Sequence, residues 1–141
     1  MQSDRIDLEL MRRLGELKDR VTEQLTHRSP LDRYDDVEPQ LREKWEEELA
    51  AAIEAEYRHQ RAGILTGLHW WLRDIWLVTF NMGTGNLFYP QLASKTQTAA
   101  QRIPTERAME NLQVIEQTQR LLNSNVQEAL ALEVGLLKLK L

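Results

Sequence analysis

Apolar side chains recur every three or four residues along most of this chain, the spacing that lines one face of an α-helix. From Ser3 to Arg28 the stripe is Ile6, Leu10, Leu14, Leu17, Val21 and Leu25. A polar break follows, from Ser29-Pro30 to Pro39, rich in aspartate. Asp35 or Asp36 is a candidate N-cap there, with Pro39 in the first turn of the next helix. That helix is predicted from Glu38 to Asn81, with a bend near Gly63 or Gly67. Its first part spaces Leu41, Trp45, Leu49, Ile53 and Tyr57 every four residues. Its second part carries Ile64, Leu65, Leu68, Trp71, Leu72, Ile75, Trp76 and Thr79, with Trp70, Leu77 and Val78 on other faces. A helix apolar nearly all round must be covered on several sides, so this second part is the expected core.

Residues 81 to 86 read as a loop, because Gly83 and Gly85 can take positive φ. A short helix is predicted around Pro90 to Arg102, and Pro104-Thr105 opens another with Met109, Leu112, Ile115 and Leu122 in line. Asn123-Ser124-Asn125 reads as a helix stop and as the cap of the next helix. The last helix, Val126 to about Leu139, is apolar on most faces through Leu130, Leu132, Val134, Leu136, Leu137 and Leu139. The pattern therefore predicts an all-α chain, a single bundle of about five helices, with no alternating strand.

Composition supports helices: only six Gly and four Pro occur in 141 residues, too few for a turn-rich β fold. The absence of cysteine excludes disulfides, thiol chemistry and zinc knuckles, and suits a cytoplasmic protein. The polar N-terminus is no secretory signal, and His69, Arg73 and Asp74 inside the most apolar run argue against a membrane span. Charge divides unevenly. Residues 1–61 carry 11 basic against 16 acidic side chains (−5), and residues 62–141 carry 7 against 6 (+1). No basic stripe appears, so no direct contact with nucleic acid is expected.

Candidate chemistry is sparse. Glu56 and His59 form a lone ExxH, whereas a di-iron bundle needs two such motifs and two further glutamates. Gly83-Thr84-Gly85 lacks the lysine and hydroxyl residue of a phosphate loop. No serine, histidine and acid suggest a triad. The expectation is no catalytic residue, no metal, no cofactor and no small-molecule ligand.

The most informative polar pair is Arg73-Asp74, inside the most apolar helix. A buried ion needs a partner, since an uncompensated one costs several kcal/mol. One reading pairs Arg73 with Glu133 or Glu116, and Asp74 with Arg120 or a helix N-terminus; the other makes Arg73 and Asp74 an interface pair reaching another subunit. The internal reading is preferred. Trp71 and Trp76 share a stripe and are expected in the core. Trp70 points about 100° away from Trp71 on helical geometry, and Trp45 stands in a polar region. An exposed tryptophan would mark an interface.

Two stretches resemble the C-terminal region of bacterial DNA polymerase III clamp-loader subunits. The first is Trp70-Trp71-Leu72-Arg73-Asp74-Ile75-Trp76-Leu77 followed by a glycine-containing loop, similar to a W-x-R-D-L-L type helix of delta-prime subunits. The second is Arg120-Leu121-Leu122-Asn123-Ser124-Asn125-Val126, then Leu130 to Glu133 and Leu136 to Leu139, similar to that family's closing helix pair. The resemblance covers about residues 38 to 141. Delta-prime is preferred to gamma/tau for its arginine-aspartate helix and because the chain ends on the last collar helix.

The resemblance implies a helical collar in DNA replication, a domain that holds loader subunits in a hetero-pentamer while ATPase modules elsewhere open the sliding clamp. The expected partners are the delta and gamma/tau subunits. Residues 1–37 are then a charged N-terminal helix and linker, residues 38–141 the collar domain, and the chain a piece of a longer subunit. Structural or interface roles fall to Trp70, Trp71, Arg73, Asp74, Trp76, Arg120, Asn125 and Glu133. Two other classes compete: a free-standing helical adaptor that dimerises through its apolar faces, unrelated to replication, and a ligand-binding or catalytic helical bundle.

Overall fold

The computed structural model describes residues 2–81, Gly83 and residues 85–141, with side chains from Leu8 onward. Met82 and Thr84 of the expected glycine loop, and the Ile6 side chain, lie outside the described residues. Five α-helices are seen among the described residues: α1 (Gln2–Arg28), α2 (Pro39–Thr79), α3 (Ala93–Arg102), α4 (Thr105–Leu122) and α5 (Glu128–Leu137). Short 3-10 turns occupy Pro30–Asp32 and Pro90–Leu92, and no strand occurs among the described residues. The fold is all-α, as the periodicity predicted. Among the described residues, no helix is long and apolar enough to cross a membrane.

The chain forms two compact units, residues 10–62 and residues 63–141 with the start of the chain. The division falls inside α2 and not at the polar break near residue 37. The stripes explain this. The first half of α2 and the stripe of α1 each present one apolar face, and neither half-amphipathic helix is covered by itself.

In the unit of residues 10–62, Leu14, Leu17 and Val21 of α1 are buried, as is Tyr57 of α2. The Tyr57 ring receives Lys18 Nζ at 5.4 Å and the Arg61 guanidinium at 5.6 Å. Ser29 caps the turn between the helices, its Oγ accepting from the Leu31 amide at 3.3 Å. Helix α2 starts at Pro39, and the Glu38 carbonyl accepts from the Arg42 amide at 2.9 Å. Glu38 therefore occupies the cap position that Asp35 or Asp36 was expected to fill. Trp45, half-buried, meets the Tyr34 ring at 6.1 Å. The outer faces carry i,i+4 ion pairs such as Arg42–Glu46 and Arg58–Glu54. Such exposed pairs contribute only about 0.3–0.5 kcal/mol each.

In the unit of residues 63–141 the buried residues include Leu65, Leu72 and Ile75 of α2, Leu112 and Ile115 of α4, and Leu132 and Leu136 of α5. Helix α3 ends at Arg102 because Ile103 precedes Pro104, and a residue before proline is pushed to extended backbone; its φ and ψ are −131° and 146°. Pro104 then stands at the N-cap of α4, as the sequence predicted. Asn123 closes α4, and the N-cap of α5 is Gln127, not Asn125. A link this short makes α4 and α5 antiparallel neighbours. They approach closely at one point: a Cβ built on Gly135 would lie 2.0 Å from Thr118 Oγ1.

Candidate functional site

The second half of α2 buries Asp74 completely, at 0% exposure. A carboxylate so placed needs donors, and two backbone amides supply them. Phe88 N–H donates to Oδ1 at 2.9 Å and Tyr89 N–H to Oδ2 at 3.0 Å. Both amides stand at the entry to the 3-10 turn Pro90–Leu92, so the connection from α2 to α3 is tied back onto α2. Charge-assisted bonds of this kind are about twice as strong as neutral ones. Asp74 is thus held inside the unit by the amides of two residues that precede a 3-10 turn, and not by the first turn of an α-helix. Arg120 is not involved; it donates to Gln117 within α4.

Arg73 departs from the expected ion pair. It is half-buried and lies over the Trp70 ring at 5.4 Å. Glu133 is exposed on α5, and Glu116 lies 3.5 Å from His69 Nε2 instead. The physical reason is that a half-buried guanidinium over an aromatic face gains a cation–π contact while it stays partly in water, which removes the need for a buried carboxylate.

The anchored connection sorts two consecutive aromatic rings. Tyr89 turns inward, and its hydroxyl donates to the Gly67 carbonyl at 3.1 Å. A Cβ on Gly67 would meet that hydroxyl at 3.3 Å, a tight contact that the glycine avoids. Phe88 turns outward and stacks on Trp70, with centroids 4.7 Å apart and planes 13° apart. Trp70 remains 38% exposed and Phe88 52%.

The other tryptophans divide. Trp71 Nε1 donates to Thr96 Oγ1 at 3.1 Å, joining α2 to α3. Trp76 lies edge-on to Phe80 at 5.1 Å, and its Nε1 is buried without a hydrogen-bond partner. Both are half-buried, short of the fully buried core positions expected. Asn125 and Arg120 are exposed. Among the described residues, no three potential ligand side chains gather as a metal site would require.

No family model, curated protein or solved structure matches the chain.

The other conspicuous surface is built by α5. Its inner face, Ala131, Leu132, Gly135 and Leu136, is buried, while Leu130, Val134 and Leu137 on the outer side are 53%, 40% and 57% exposed. Their spacing of four and three places them on one line along the helix. Beside this line runs an open groove of about 590 Å³, floored by Val114, Thr118, Leu121 and Val134. Its rim at the end of α5 is basic, with Lys138 and Lys140.

A buried residue fixes that rim. Asn111, 1% exposed on α4, donates to the Lys140 carbonyl at 2.8 Å and accepts from the Lys140 amide at 2.9 Å. The last residues are thereby clipped to α4 like a strand pair. Sequence reasoning missed Asn111, Thr118 and Gly135. The only signal was a small or polar residue at a core position of an apolar helix.

Proposed function

We propose that this chain is an assembly domain, acting by contact and not by catalysis. One observation carries the proposal: α5 is apolar on both sides, one side buried and the other open along Leu130, Val134 and Leu137. A monomer gains nothing from a line of exposed leucine and valine, whereas an interface core is built from such residues. The exposed Trp70–Phe88 stack is a second anchor of the type that dominates binding energy.

The specific form of the proposal is the C-terminal collar of a delta-prime-type clamp-loader subunit in the bacterial cytoplasm. Its partners would be the delta and gamma/tau subunits, in a hetero-pentamer that loads the sliding clamp during DNA replication. Supporting it are the two stretches that resemble the family. The segment from Trp70 to Leu77 holds the Asp74 anchor, and the segment from Arg120 to Leu139 runs from the last turn of α4 through α5.

The test is a pull-down with the organism's other clamp-loader subunits, without ATP, followed by sizing. A stable mixed assembly is expected. A homodimer that binds none of them would replace the collar with the free-standing adaptor.

A further inference from the structure

The α4–α5 groove has an apolar floor, a continuing apolar line and a basic end. Val114, Leu121, Val134 and Leu137 line it, and Leu130 extends the line one turn further along α5. Its charged lining is Arg107, Lys138 and Lys140 against Glu110, a balance of +2 in a chain of net charge −4. Arg107 already spends one nitrogen on Glu110, at 3.1 Å. Lys138 and Lys140 are exposed, and the backbone bearing Lys140 is pinned by Asn111. The cations are therefore held in place at the groove's end and not left on a fraying tail.

We propose that this groove docks an amphipathic helix of another polypeptide, one with an apolar stripe flanked by carboxylates. The inference rests on the assembly reading and names the chemistry of its partner. A helix fits because the open line Leu130, Val134, Leu137 has the four-three spacing that a second helix meets with its own stripe. Carboxylates are required because the basic rim would repel a cationic helix and steer an acidic one to a single register. A second copy of this chain is the poorer occupant. Its own α1 carries six acidic against six basic side chains and so offers no acidic stripe, and α1 and the first half of α2 already bury the stripe residues Leu14, Leu17, Val21 and Tyr57.

The experiment is light scattering and equilibrium binding of the chain with the other clamp-loader subunits, comparing wild type with two double variants. Val134→Glu/Leu137→Glu places carboxylates on the exposed line, and Lys138→Glu/Lys140→Glu reverses the rim. All four positions are exposed or nearly so, and unchanged thermal melting verifies that each variant folds. Leu130→Glu, on the same line, serves if either double variant does not fold. The first variant is expected to weaken mixed assembly at least about thirtyfold, the scale of losing a hot spot. The second is expected to weaken it about tenfold and to reduce its salt dependence.

Mixed assembly that proceeds equally well with both variants overturns the groove and leaves the collar reading standing. Loss with the first variant alone overturns the acidic character of the partner. Absence of any mixed assembly with wild type overturns the collar reading and this inference with it. A wild-type homodimer broken by Val134→Glu/Leu137→Glu overturns the choice of occupant in favour of a second copy.

Discussion

The Asp74 carboxylate accepts the backbone amide of Phe88 at 2.9 Å across fourteen residues of sequence. This bond, with its neighbour to Tyr89, decides which aromatic ring faces in and which faces out. A buried carboxylate serves here as a fixture for backbone. The outward ring, Phe88, then covers Trp70 and completes an exposed aromatic shelf.

Removing that fixture should be costly. Asp74→Ala leaves two amides without their acceptor, and stability is expected to fall by about 3 kcal/mol. Asp74→Asn should fall by nearly as much, since its amide group opposes a donor with a donor. Arg73→Ala should cost about 1 kcal/mol or less, the scale of a partly exposed cation–π contact. Urea denaturation of the three variants checks this; equal losses at residues 73 and 74 would contradict it.

The meeting of α4 and α5 at Thr118 and Gly135 predicts a second outcome. Gly135→Ala puts a methyl 2.0 Å from Thr118 Oγ1 and is expected to destabilise by about 2 kcal/mol or more. Thr118→Ala removes the atom in the way. The double variant should recover part of the loss, a positive coupling measurable by a double-mutant cycle in chemical denaturation. Strict additivity would show that the helices do not touch there.

Asn111 makes a distinct prediction about local order. Asn111→Ala breaks both bonds to Lys140, at an expected cost of about 2 kcal/mol. The loss should be local as well as global: amide hydrogen exchange at Lys140 should accelerate more than at the middle of α4. Unchanged protection at Lys140 would rule out the clip.

In the unit of residues 10–62, Tyr57 is 3% exposed and accompanied by Lys18 and Arg61. Tyr57→Ala is expected to cost about 3–5 kcal/mol, the range for emptying a large aromatic site. Tyr57→Phe should be far milder, because the ring that the cations approach remains. Thermal melting of the two variants separates ring packing from the hydroxyl.

Much of the helical order was legible because helix formation is local. Proline and asparagine marked the boundaries at Pro104 and Asn123, and stripes of three and four marked the faces that are buried at Leu14, Leu72 and Ile115. Even locally there were misses. The aspartates before α2 suggested a cap, yet the chain starts that helix directly at Pro39 and uses the Glu38 carbonyl. Trp71 and Trp76 shared an apolar stripe, but large rings at the edge of a stripe stay half-buried.

The sequence by itself determined the all-α class, the five helices and the demand that Asp74 find a partner inside an apolar helix. Only the tertiary structure decided what that partner is, because backbone amides carry no mark in the amino-acid sequence. The same holds for the Asn111–Lys140 clip and the Thr118–Gly135 approach, whose members lie far apart in sequence and meet only once the helices pack. Local periodicity shows which residues want cover; the meeting of distant segments decides which residues supply it and which, like Leu130 and Leu137, remain open.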